Sequence, residues 1–284
     1  MSSPSLALPR PSPLDRLRFL GEPKWLITML ITVVVLVATS LGAISSPLVF
    51  AVALGTAMLT ESLFSLLVRG HLINVQSAYV SGISVTILTN PQQGLIWPFA
   101  MAAAISIASK YALVYKGRHL WNPTNFGISA LLLLAPAKFA VLSTQWNNNL
   151  APVLVIWTLG LLIASRAKIL HVTATYVAAF FAFGYLRSLI SGDPYWTEIA
   201  PLTGPMYQLF IFFMITDPRT TVSTRRGRVL VALIIAAVEC ALRLFNELPW
   251  LPDGLRAAPA FFALATVGPI ALWLELRSRP AAKP

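Results

Sequence analysis

Five ionisable side chains, Glu61, Lys110, Glu239, Arg243 and Glu275, fall inside long apolar stretches, where a charge is costly. Groups in such places either pair or act, so each is a functional candidate by position. Glu239 and Arg243 are four residues apart, the spacing of a mutual ion pair on one helix. Lys110 and Glu275 lie near the ends of their stretches, where a long side chain can reach the interface. Glu61 has no local partner. It is the candidate for a proton or cation pathway, unless a basic residue on another helix meets it.

A second set of residues marks helix ends. Thr89-Asn90-Pro91, Asn122-Pro123-Thr124 and Thr216-Asp217-Pro218 all put Asn or Asp directly before Pro. That pair can start a helix, because the side-chain oxygen caps free N–H groups and Pro fits the first turn. The plainer alternative is a surface turn. Asp217 could cap, bind a cation or pair with Arg219. With Thr216 beside it, and Thr203 and Gly204 at the far end of the same short stretch, it could also cradle a polar ligand. The Asn122 and Asn125 amides, flanking Thr124, supply both donors and acceptors.

The elements that must position these groups are membrane spans. Of 284 residues, 57% are hydrophobic and 11% charged, against about 25% charged in a soluble domain. A bilayer core of about 30 Å takes about 20 helical residues. Ten apolar stretches approach that length: 25–43, 47–68, 77–89, 94–115, 124–136, 150–165, 172–190, 204–216, 229–246 and 258–276. Residues 1–24, with Pro4, Pro9, Pro11 and Pro13 and four basic residues, read as a disordered cytoplasmic tail, and 277–284 as a second tail. With the N-terminus inside, sixteen of the 21 Lys and Arg fall on the cytoplasmic side. Lys138, Arg187 and Arg256 fall outside, and Lys110 and Arg243 fall within spans. The net charge of +11 is therefore topological, and nucleic acid is not an expected partner. The lipid bilayer is.

Spacing suggests a repeat. Trp121-Asn122-Pro123 follows Thr89-Asn90-Pro91 by 32 residues, and Leu251-Pro252-Asp253-Gly254 follows Thr216-Asp217-Pro218 by 35. The first member of each pair faces opposite sides of the membrane in this topology. The expected fold is all-α: a polytopic membrane protein of ten transmembrane helices in two inverted five-helix repeats, 25–136 and 150–276, joined by an outer loop at 137–149. The short third and eighth spans would meet near the midplane.

Several chemistries are excluded. A single cysteine, Cys240, cannot form a disulfide framework, a zinc site or a thiolate-held cluster within the chain. His71, His119 and His171 stand at span ends and read as interfacial groups, not as haem or other metal ligands. No glycine-rich nucleotide loop and no Ser-His-Asp constellation is present.

Four segments together resemble the RnfD/NqrB family, integral membrane components of the Rnf electron-transport complex and of the sodium-translocating NADH:quinone oxidoreductase. They are Ser77-Ala78-Tyr79-Val80-Ser81-Gly82, Lys110 with Gly117 to Gly127, Ile215 to Thr221 with Arg226-Gly227-Arg228, and Leu251-Pro252-Asp253-Gly254. The resemblance covers about 77–269. It implies a ten-helix membrane component of a flavin-carrying redox pump, with a urea-transporter-like fold and other membrane redox subunits as partners. The family's covalent FMN sits on the Thr of a Ser-Gly-Ala-Thr type motif. Here the matching segment, Lys138 to Asn149, has no Gly-Ala-Thr and only Thr144. No covalent flavin is therefore expected, and the chain is similar to the stand-alone members encoded near enediyne biosynthesis genes.

By that resemblance, Asn122, Thr124, Asn125, Thr203, Thr216 and Asp217 would hold FMN or riboflavin noncovalently, with Trp121 and Phe126 stacking on its ring. The expected function is an electron-transfer component in a bacterial inner membrane, with both termini cytoplasmic. The alternative is a channel or carrier for a small polar solute.

Overall fold

A computed structural model describes residues 23–40, 46–91, 94–141, 150–246 and 248–279. The N-terminal tail through position 22, the Ser143-Thr144 segment of the outer loop and the last five residues lie outside the described residues. Among the described residues a helix stands over each of the ten apolar stretches. In chain order these are α1 (Pro23–Ser40), α2 (Pro47–Arg69), α3 (Gln76–Leu88), α4 (Trp97–Ala112), α5 (Pro123–Leu134), α6 (Leu150–Arg166) and α7 (Leu170–Ser191). After a one-turn helix, α8 (Tyr195–Ile199), comes α9 (Pro205–Leu209), which runs on as a π turn over Phe210–Met214. Then follow α10 (Arg225–Leu244), the short α11 (Asp253–Ala257) and α12 (Pro259–Ser278).

The helix ends have local causes. Pro lies in the first turn of α2, α4, α5, α9 and α12, where its missing N–H costs nothing. Both α2 and α7 stop at a left-handed glycine, Gly70 (φ 74°) and Gly192 (φ 81°). Asn122 caps α5 as expected, its Oδ1 accepting from the Asn125 N–H at 3.1 Å.

The other two Pro turns are not helix starts. Thr89–Pro91 forms a short strand, β1, paired antiparallel with β4 (Phe139–Val141). The chain thereby closes the end of α3 onto the segment after α5. At Asp217 both carboxylate oxygens serve a turn: Oδ1 accepts from the Arg219 N–H and Oδ2 from the Thr220 hydroxyl, each at 3.0 Å. Such a turn redirects the chain. The next helix, α10, begins eight residues on under a Thr224 cap. A second hairpin, β2 (Val114–Tyr115) with β3 (Arg118–His119), links α4 to α5.

Among the described residues three helices, α2, α7 and α12, are long and apolar enough to cross a membrane. Other helices do not reach that measure. Several are short, and α10, although 20 residues long, carries Arg225, Arg226, Arg228, Glu239 and Arg243. The surface of α2 is inverted relative to a water-soluble helix: it buries Ala53, Ala57, Glu61 and Ser65 and exposes Leu59, Leu63, Leu66 and Leu67. Small and polar groups inward with leucines outward is the pattern of a helix that faces lipid.

Several helix pairings are similar in residues 23–141 and 150–279. The second helix packs on the fourth (α2 on α4, α7 on α10), the fourth on the fifth (α4 on α5, α10 on α12), and the first on the third (α1 on α3, α6 on α9). Contacts of α1 with α6 and of α5 with α11 and α12 join the halves. Gly254 at the start of α11 is seated against the Leu132 backbone of α5, an approach that a Cβ would block.

Candidate functional site

The short helices α3 and α9, with the π turn, line a shared cavity of about 500 Å³. One wall is the polar face of α3, where Ser77, Ser81 and Ser84 recur at helical spacing among Val80, Ile87 and Leu88. Phe212 and Phe213 also line the cavity. The π turn adds a residue to that helix, and such insertions recur at functional sites. Phe212 lies so close to Gly160 of α6 that a Cβ there would come within 2.6 Å of its ring. That contact fixes the aromatic wall against α6.

The end of the cavity is polar. Asn122, Thr124, Thr216 and Asp217 all line it. The two turns touch directly, Asn122 Nδ2 donating to Asp217 Oδ2 at 3.2 Å. The remaining expected ligands stand elsewhere. Asn125 is buried behind the wall, donating to the Phe261 carbonyl at 3.1 Å, with its Oδ1 unpartnered. Thr203 is exposed at the far end of α9 and donates to the Ala200 carbonyl, so it does not join the site. Trp121 donates to the Ala265 carbonyl at 2.8 Å and meets Phe126 edge-on, and neither ring lines the cavity. The aromatic residues that line the cavity are Phe212 and Phe213, which sequence reasoning missed because a π insertion leaves no mark in hydropathy.

Lys110 also lines the cavity and is only 8% exposed, so it is turned inward and does not reach for the interface. It binds Glu61 of α2 and donates to Ser77 Oγ at 2.7 Å. Tyr111 donates to the other oxygen of Glu61 at 2.9 Å. Glu61, expected as a group without a local partner, is thus the counter-ion of Lys110. The partner sits 49 positions away, beyond reach of any local pattern.

A second network lies between α7, α9 and α10. Arg243 Nε donates to Glu239 at 3.0 Å, the expected ion pair, and Tyr176 and Tyr207 both donate to the same carboxylate. This network is buried away from the cavity. Glu275 pairs with Arg279 and accepts from the Ser223 N–H and hydroxyl at 2.8 and 2.6 Å.

At the cavity's end the Arg118 guanidinium holds the turn at Asp217 by donating to the carbonyls of Pro218, Arg219 and Thr221 at 2.9–3.0 Å. His119 lines the cavity beside it. Burial, reinforced by the Lys110 and Arg219 charges, holds its pKa below the usual histidine value, against an opposing pull from Asp217. The imidazole is therefore neutral near pH 7.

No protein-family profile and no curated protein matches this chain. Among the described residues, no group of three or more His, Cys, Asp or Glu could hold a metal ion.

Proposed function

We propose that the chain is an integral membrane component of an Rnf- or Nqr-like electron-transport system, binding FMN or riboflavin noncovalently between its two halves. The cavity carries this reading. Its 500 Å³ falls within the range of small-molecule sites. Its chemistry also fits the group. Phe212 and Phe213 offer an apolar wall for a flat ring, and Asn122, Thr124 and Thr216 offer hydrogen-bonding edges. Lys110 brings a fixed positive charge beside them.

A bound flavin supplies reversible electron storage. The chain's own residues do the rest. Asn122 and Asp217 hold the turns that frame the polar end, while the serines of α3 offer hydroxyls to ring heteroatoms. The Lys110 ammonium, held by Glu61 and Ser77, favours negative charge on the ligand and so raises the tendency to accept electrons. Partners would be other membrane redox subunits, which deliver and remove those electrons.

The reading takes the ten helices as ten spans in two inverted repeats, with both termini on the cytoplasmic side of a bacterial inner membrane. The recurring packing pairs and the distribution of basic residues support it. In intact cells an impermeant thiol reagent is expected to label Asp193→Cys and spare Arg226→Cys. The opposite pattern would overturn this topology.

Site variants test the cavity. Asn122→Leu and Asp217→Leu each remove a polar group from its end and break their mutual bond, so each should lower flavin occupancy at least several-fold while membrane insertion persists. Unchanged occupancy in both would move the ligand to another site. A conducting channel would draw on the same serine face. It gains ground only if the protein carries no chromophore.

A further inference from the structure

Beside the cavity lies a second hollow of about 430 Å³, walled by Gly117, Arg118, His119, Pro218, Arg219, Ser223 and Arg228. It shares His119, Pro218 and Arg219 with the cavity, so the two adjoin. Three arginines, Arg118, Arg219 and Arg228, line it. Two are pinned to the backbone: Arg118 by the three carbonyls already described, and Arg228 by Nε donation to the Val222 carbonyl at 2.9 Å. Pinning one edge of a guanidinium fixes where its remaining N–H groups point and lowers the entropy lost on binding.

The negative groups nearby are already occupied. Asp217 accepts from Arg219 N, Thr220 and Asn122, and Glu275 from Ser223 and Arg279. The Arg219 side chain has no hydrogen-bond or ion-pair partner among the described residues. The second observation is His119. Its ring stands in the wall common to both hollows, and its Nδ1 is buried there without a hydrogen-bond partner.

We propose that this arginine cup binds the phosphate of a phosphomonoester whose apolar body lies in the adjoining cavity. Arginine forks match phosphate geometry through paired, charge-assisted hydrogen bonds. For the nature of the body the inference rests on the flavin reading, and there it selects FMN over riboflavin. The cup itself stands on the arginines alone and would equally take the headgroup of a phosphatidic acid.

Binding to the full chain in mild detergent tests this with four probes: FMN, riboflavin, inorganic phosphate and vesicles containing phosphatidic acid. FMN should bind at least about tenfold more tightly than riboflavin, the worth of one charge-assisted hydrogen bond. Arg219→Gln, and separately Arg228→Gln, should erase about that factor for FMN and leave riboflavin unchanged. In wild-type protein, which needs no variant to fold, inorganic phosphate should displace FMN but not riboflavin. Equal affinity for both flavins, with no phosphate competition, would overturn the cup and leave the flavin reading standing. If neither flavin binds but phosphatidic acid is retained in an Arg219-dependent way, the cup stands and the flavin reading fails. If none of the four probes binds, both fail.

Discussion

Lys110→Met is expected to lower stability by about 3–5 kcal/mol, because it leaves the Glu61 carboxylate buried without its counter-ion. Glu61 is 2% exposed, and only the Tyr111 hydroxyl would remain to satisfy it. Adding Glu61→Gln in the same chain should restore most of the loss, since no unpaired charge then stays behind. Denaturant unfolding in mixed micelles reads both. A single variant as stable as wild type would mean that the pair is solvated or open. The double variant also separates structure from function. It should fold yet hold a reduced ligand less well, because the positive charge on the cavity wall is gone.

The second large effect belongs to a position with no charge. Gly127 of α5 lies where that helix crosses α4, and a Cβ there would stand 2.5 Å from the Ala102 carbonyl oxygen and 2.9 Å from the Ser106 nitrogen. Both are backbone atoms and cannot rotate away. Gly127→Leu must therefore separate the helix carrying Lys110 from the helix that begins at Asn122, at a cost of about 3 kcal/mol or more. Gly55 of α2 is the control: nothing lies within 4 Å of its added Cβ, so Gly55→Leu should change stability by about 0.5 kcal/mol at most. Equal behaviour of the two variants in the same unfolding measurement would contradict the close α4–α5 crossing.

What was legible in the sequence was local. The apolar stretches are helices, and the Pro that opens α2, α4, α5, α9 and α12 and the Gly that ends α2 and α7 act within a turn. The Asn122 cap and the Glu239–Arg243 pair need only three or four residues of separation. What escaped depends on contacts far along the chain. The Glu61–Lys110 pair spans 49 positions and the Asn122–Asp217 bond 95. Asn90-Pro91 reads as a helix start until β4 pairs with it from beyond α5. Asp217 looks like a cap, yet its oxygens are taken by its own turn and by Asn122. Thr203 and Thr216 go together in the sequence because both end one short stretch, and being at opposite ends is what keeps Thr203 out of the cavity. The aromatic wall lies in a π turn, where Phe212 packs against Gly160.

A flavin held without a covalent bond between the two halves is the central claim, and an absorbance spectrum of protein purified in mild detergent tests it most directly. The prediction is a yellow protein with the visible bands of oxidised flavin, the chromophore leaving the chain completely on denaturation at about one flavin per chain. A colourless protein that renders liposomes permeable to urea-sized solutes would contradict it.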